Sequence, residues 1–100
     1  MSEKTHGAKI KAQIIAAVVA QWVDDPDGIT VRSVARDCGL THGAILYHFG
    51  TAAKLREAAA VHAVQIGESR VIAQLIATRN PLVADMNEAT RRKHMVAAGV

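Results

Sequence analysis

Between Thr30 and Gly50 the sequence TVRSVARDCGLTHGAILYHFG leaves the backbone few choices. Thr30 stands where an N-cap belongs, and Val31, Val34, Ala35 and Cys38 then fall on one face at helical spacing. Gly39 supplies the left-handed residue that ends such a helix. Only Leu40 separates it from Thr41, a second N-cap, after which the segment from about His42 to His48 is closed by Gly50. Two short helices joined by a tight turn are predicted. Ala35 is small where the helices cross, Gly39 four positions later permits the turn, and Val34, Cys38, Leu40 and Ile45 are apolar where the pair must lock at a fixed angle.

The rest of the chain reads as helix too. Half of the 100 residues are hydrophobic but only 3% are aromatic, and the excess is alanine, valine and isoleucine, which suits closely packed helices. A first helix is predicted from about Ala8 to Val23, with Ile10, Ile14, Val18 and either Ala17 or Trp22 recurring, stopped by Asp24-Asp25-Pro26-Asp27-Gly28. A long helix starts near Thr51 and reaches about Thr78, carrying Leu55, Ala58, Ala59, His62, Ile66, Ile72, Leu75 and Ile76. Val61, Val64 and Val71 lie off that stripe, so the helix is apolar around more than one face, as burial against a second chain requires. Asn80 followed by Pro81 predicts a last helix to about Ala97, with Asp85 and Glu88 towards its start and Arg91, Arg92, Lys93 and His94 towards its end. The expected class is all-α: a three-helix bundle, then one long helix and a C-terminal helix.

Several classes of function are disfavoured. Cys38 is the only cysteine, so no intrachain disulfide forms, and it reads as a small buried apolar side chain. The N-terminal stretch with Glu3, Lys4, His6, Lys9 and Lys11 lacks the apolar run of a signal peptide, and Ile14 to Ala20 is too short to span a bilayer. A soluble, cytoplasmic protein without membrane contact is expected. No H-E-x-x-H or paired-cysteine pattern is present, and a calcium loop with Gly28 in its glycine position would place Val23 and Val34 at its ligand ends. No nucleophile with its base and no glycine-rich phosphate loop appears, so no enzyme, metal or cofactor is expected. A net charge of +3 and a pI near 9.4 permit an acidic partner without specifying one.

The segment VRSVARDCGLTHGAILYHF, with a helix before it and a helix after it, resembles the DNA-binding domain of TetR-type repressors over about Ile10 to Val61. The resemblance makes residues 1–54 a helix-turn-helix DNA-binding region and residues 55–100 a helical dimerisation region of one continuous domain. It implies that Thr41, His42, Gly43 and Ala44 open the recognition helix against base edges, Gly43 and Ala44 allowing close backbone approach. Tyr47 and His48 then contact phosphates, Thr30 bonds a phosphate through its hydroxyl and helix N-terminus, and Arg32, Arg36, Thr51 and Lys54 complete the set. Two departures stand out. The family's usual lysine is Ala52 here, with Lys54 close by to compensate, and the part beyond the matched region is too short for an enclosed effector pocket, so no small-molecule ligand is expected.

The implied function is that of a sequence-specific double-stranded DNA-binding repressor, a homodimer on a near-palindromic operator, excluding polymerase by occupancy. Its size suits a compact regulator carried by a plasmid or phage. Ile66, Ile72, Leu75, Ile76, Leu82, Val83 and Met86 are the candidates for the dimer interface. Lys4, Lys9 and Lys11 read as solvated lysines on a flexible start, with a minor-groove arm as the other reading. The alternative function is a helical protein-interaction module that has lost DNA binding. Ala52, the modest charge and the acids Asp24, Asp25, Asp27 and Asp37 support it; the small or polar groove-facing residues oppose it.

Overall fold

The computed structural model describes residues 2–99, with side chains from residue 7 onward, and every regular element among them is helical. The α-helices run in the order α1 (Ser2–Asp24), α2 (Val31–Cys38), α3 (His42–Phe49), α4 (Ala52–Ile66), α5 (Ser69–Ala77) and α6 (Glu88–Ala97), with 3-10 turns at Pro26–Gly28 and Pro81–Val83. Among the described residues there is no strand, and no helix is long and apolar enough to cross a membrane. The chain divides into two compact units, Met1–Ala59 and Ala60–Val100, the division falling inside α4.

In the first unit α1 packs on α2 and α3, and α2 on α3. The apolar stripe of α1 supplies Ile14, Val18, Val19 and Trp22, all buried; Val31, Val34 and Ala35 are the buried face of α2, and Ile45 that of α3. Both short helices are capped as the spacing predicts. The Thr30 and Thr41 hydroxyl oxygens accept the Ser33 and Ala44 amides at 3.0 Å each. Gly39, with φ +66°, turns the chain at the end of α2, where the Leu40 amide reaches back to the Ala35 carbonyl at 2.9 Å. One expectation changes here. α1 begins well before Ala8, with no proline to interrupt it, so Lys9 and Lys11 are exposed residues of a helix rather than of a flexible arm. Lys4 lies outside the residues whose side chains are described.

In the second unit α5 packs on α6 and on the Pro81–Val83 turn, and Val71, Ile72, Leu75 and Val83 are buried. The single long helix expected from Thr51 to Thr78 is instead two. Gly67 takes φ +70°, the amides of Gly67 and Glu68 return to the carbonyls of Val64 and Ala63, and the Glu68 carboxylate accepts the Arg70 amide to start α5. A left-handed glycine followed by a capping carboxylate stops one helix and begins another at small cost, and the apolar pattern continues through the break.

The expected last helix from Pro81 to Ala97 is also shorter. Asn80 does cap, its side chain accepting the Leu82 amide at 2.9 Å, but only one 3-10 turn follows. The Arg91 side chain donates to the carbonyls of Met86, Val83 and Ala84 at 2.9, 3.2 and 3.1 Å, occupying acceptors that a continuing helix would need. Asn87 then caps α6 through the Thr90 amide at 2.8 Å. Asp85 and Met86 therefore lie in a turn, while Glu88 and His94 keep the first and last turns of α6. α6 is tied to α5 by the Ser69 hydroxyl and His94 Nδ1, 2.8 Å apart.

Candidate functional site

The second short helix is held by its inner face and free on its outer one. Ile45 is fully buried, Ala44, Leu46, His48 and Phe49 are half-buried, and His42, Gly43 and Tyr47 are exposed. Tyr47 keeps 86% of its surface in solvent, an unusual outlay for a ring whose apolar body gains from burial. It stands edge-on to His48, with ring centroids 5.3 Å apart. Gly50 ends the helix at φ +87°, and Thr51 caps α4 by accepting the Lys54 amide at 3.1 Å. The three capping hydroxyls of Thr30, Thr41 and Thr51 each accept a backbone amide and keep their own proton free to donate.

From Cys38 to Arg56 the formal charges along the chain are of one sign. No acidic residue occurs between Asp37 and Glu57. Arg32, Arg36 and Lys54 are exposed, and among the described residues no carboxylate lies within 4.0 Å of any of them, the ion pair found being Arg92–Glu88 in α6. Arg32 and Arg36 lie four residues apart on α2, hence on one side of it. Asp24, Asp25, Asp37 and Arg36 instead border a depression shared with Gln21, Gly28 and Ser33, and the described residues include no group of acids, histidines and cysteine fit to hold a metal ion.

Two supporting arrangements lie beyond local sequence signals. The Ser33 hydroxyl, besides capping Thr30, donates to Gln21 Oε1 at 2.7 Å, and Gln21 Nε2 donates to Asp37 Oδ2 at 2.7 Å. That chain clamps α2 to α1 near both of its ends and gives Asp37 an internal partner. Arg56 lies over the Trp22 ring, 4.6 Å from its centroid, and donates to the Pro26 carbonyl at 3.4 Å, so its charge serves the fold rather than the exposed face. Cys38 is half-buried, its amide carbonyl accepting from Gln13 Nε2 at 3.4 Å. Burial, and secondarily the Asp37 carboxylate, pushes its thiol pKa up, which favours the protonated form.

The structure gathers Thr41, His42, Gly43, Ala44, Tyr47 and His48 on one helix, with Thr30, Arg32 and Arg36 on the helix before it and Thr51 and Lys54 at the start of the next. The apolar residues proposed for dimer contact divide. Ile72, Leu75 and Val83 are buried within the chain itself, Ile76 and Met86 are half-buried, and Ile66 and Leu82 are 58% and 40% exposed. Val96, on α6, joins the exposed set at 69%. Compared with models of protein families, with curated proteins and with solved structures, the chain matches none.

Proposed function

We propose that the chain is a sequence-specific double-stranded DNA-binding regulator of TetR-like type, a repressor in which α2 and α3 act as a helix-turn-helix and α3 enters the major groove. One observation carries the reading. An exposed helix face of small and hydrogen-bonding residues, seated on its neighbours through Ile45, lies between helices that carry the exposed cations Arg32, Arg36 and Lys54, none of them in an ion pair within 4.0 Å among the described residues, although Arg36 shares a depression with Asp24, Asp25 and Asp37. Cations that find no partner within the fold are suited to phosphates, and a short helix without bulky residues at its start is suited to base edges.

Two copies on a near-palindromic operator follow from how little one eight-residue helix touches. Ile66, Leu82 and Val96 supply exposed apolar surface for the homodimer. Repression is by occupancy of the promoter in the cytoplasm, without a small-molecule effector, metal or cofactor. If the three cations of each protomer each meet a phosphate, a dimer releases about six counterions and log K falls against log salt with a slope of about −5.

The test is selection of bound fragments from a pool of random duplex DNA at physiological salt. A two-fold symmetric motif supports the proposal; a folded, dimeric protein that enriches nothing refutes it. The 86% exposure of Tyr47 favours a second reading in that event, a helical interaction module whose anchor is this ring in a partner's pocket.

A further inference from the structure

The second unit holds a depression of about 290 Å³ beside the Pro81–Val83 turn, walled by the apolar Ile76, Val83 and Ala84 and edged by Arg79, Asn80 and Arg91. Its polar edge consists of donors. Arg91 spends Nε and Nη2 on three backbone carbonyls, which fix the guanidinium in place without neutralising it. Asn80 gives its side-chain oxygen to the Leu82 amide and keeps its NH2 group to donate. Arg79 is exposed and holds φ +55°, a conformation in which glycine would be at ease, so the backbone gives no reason for an arginine there. Among the described residues no carboxylate lies within 4.0 Å of either arginine. The depression is suited to an anion.

The acids of the same unit single one out. Residues 60–100 contain three, Glu68, Asp85 and Glu88. Glu68 caps α5 by accepting the Arg70 amide, and Glu88 pairs with Arg92 at 3.6 Å. Asp85 is exposed, and among the described residues its carboxylate has no ion pair. It directly follows Ala84, a wall of the depression, yet lies beyond 4.0 Å of the arginines of its own chain. A free acid beside a cationic depression that it does not fill makes a self-complementary patch, the kind that a two-fold axis requires, since each copy offers what the other receives. Leu82, 40% exposed on the same turn, adds apolar surface next to the charges.

Resting on the homodimer reading above, we infer that the turn from Pro81 to Met86 faces the two-fold axis, and that Asp85 of each protomer enters the Arg79–Arg91 depression of the other. Arg91, held by its carbonyls, is the fixed cation of each contact, and Arg79 closes on the carboxylate from the rim. The two contacts set the register of the dimer, while the exposed apolar side chains supply its area.

The experiment reverses charges in the full chain and follows self-association by sedimentation equilibrium. Arg79→Glu and Asp85→Arg alter exposed residues and should keep the helical ellipticity of the wild type. Each reversal acts twice in a two-fold dimer and should weaken dimerisation about tenfold. An equimolar mixture of the two variants should associate more tightly than either alone, because in the mixed pair both contacts again join opposite charges. Arg79→Gly, which relieves the backbone of the monomer, should also weaken the dimer. Variants that dimerise as the wild type does, or a mixture no tighter than its components, overturn the inference and leave the homodimer standing. A wild-type protein that stays monomeric at every concentration overturns the homodimer reading and this inference together.

Discussion

Replacing Gly39 or Gly43 by alanine gives two proteins of identical composition that should differ measurably in stability. Neither added Cβ meets an atom within 4 Å, so packing contributes nothing to the difference. Each substitution also removes one glycine from the unfolded chain, which favours folding by roughly 0.4–1 kcal/mol in both and cancels between them. What remains is the native backbone. At Gly39, φ +66° forces an alanine into the left-handed region at about 1–2 kcal/mol, whereas Gly43 lies in α3, where alanine is preferred. Net of the unfolded-state gain, Gly39→Ala should destabilise by about 1 kcal/mol, lowering Tm by about 4–5 °C for a chain of this size, while Gly43→Ala should match or exceed the wild type. Urea and thermal unfolding followed by helical ellipticity give both values, and Gly39→Asn should recover part of the loss because asparagine tolerates that conformation. A Gly39→Ala protein as stable as Gly43→Ala would refute the argument. The pair also separates fold from function: the variant that loses stability leaves the exposed face intact, and the one that keeps stability alters it.

Other consequences follow from single side chains. Among the described residues Arg79 is the non-glycine residue with positive φ, at +55°, just beyond the end of α5, so Arg79→Gly should stabilise by about 0.5–1 kcal/mol, read as a higher urea midpoint. Ile45 is the fully buried residue of α3; Ile45→Val should cost about 1 kcal/mol and preserve any DNA binding, whereas Ile45→Ala should cost about 2–5 kcal/mol and weaken binding to cognate and random duplex alike, measured by denaturation and filter retention. Cys38, its thiol pKa raised above the ordinary 9.0, should alkylate slowly at pH 8 in the folded protein and rapidly in urea. Because the folded state favours the protonated thiol, that contribution is complete below the ordinary pKa and disappears as pH rises through the raised one. Cys38→Ala should therefore flatten the fall in stability above about pH 9, as seen in urea midpoints against pH.

The parts of the fold legible in the sequence are those decided within four or five residues. Thr30, Gly39, Thr41 and Gly50 bound α2 and α3 by bonds to their immediate neighbours, and the structure shows those bonds. The long helix failed for a different reason. Gly67 and Glu68 are local signals of the same kind, but the apolar stripe from Leu55 to Ile76 passes through them without losing phase, so the periodicity masks the break. At the last helix the deciding group is the Arg91 side chain, which takes three carbonyls of a preceding turn and lets Asn87 become the cap; a side chain competing for backbone acceptors leaves no periodic trace. The Gln21–Ser33–Asp37 chain and the Arg56–Trp22 contact join residues far apart in sequence and are invisible to any local pattern. For the candidate site the division is finer. Gly39 and Gly43 look alike as letters, four apart around one turn, and a motif treats both as required. Only the backbone angle and the empty space at each show that the turn needs the first and that nothing inside the molecule needs the second. A residue the fold does not explain, on a face the fold leaves bare, is where a partner's shape has to enter the argument.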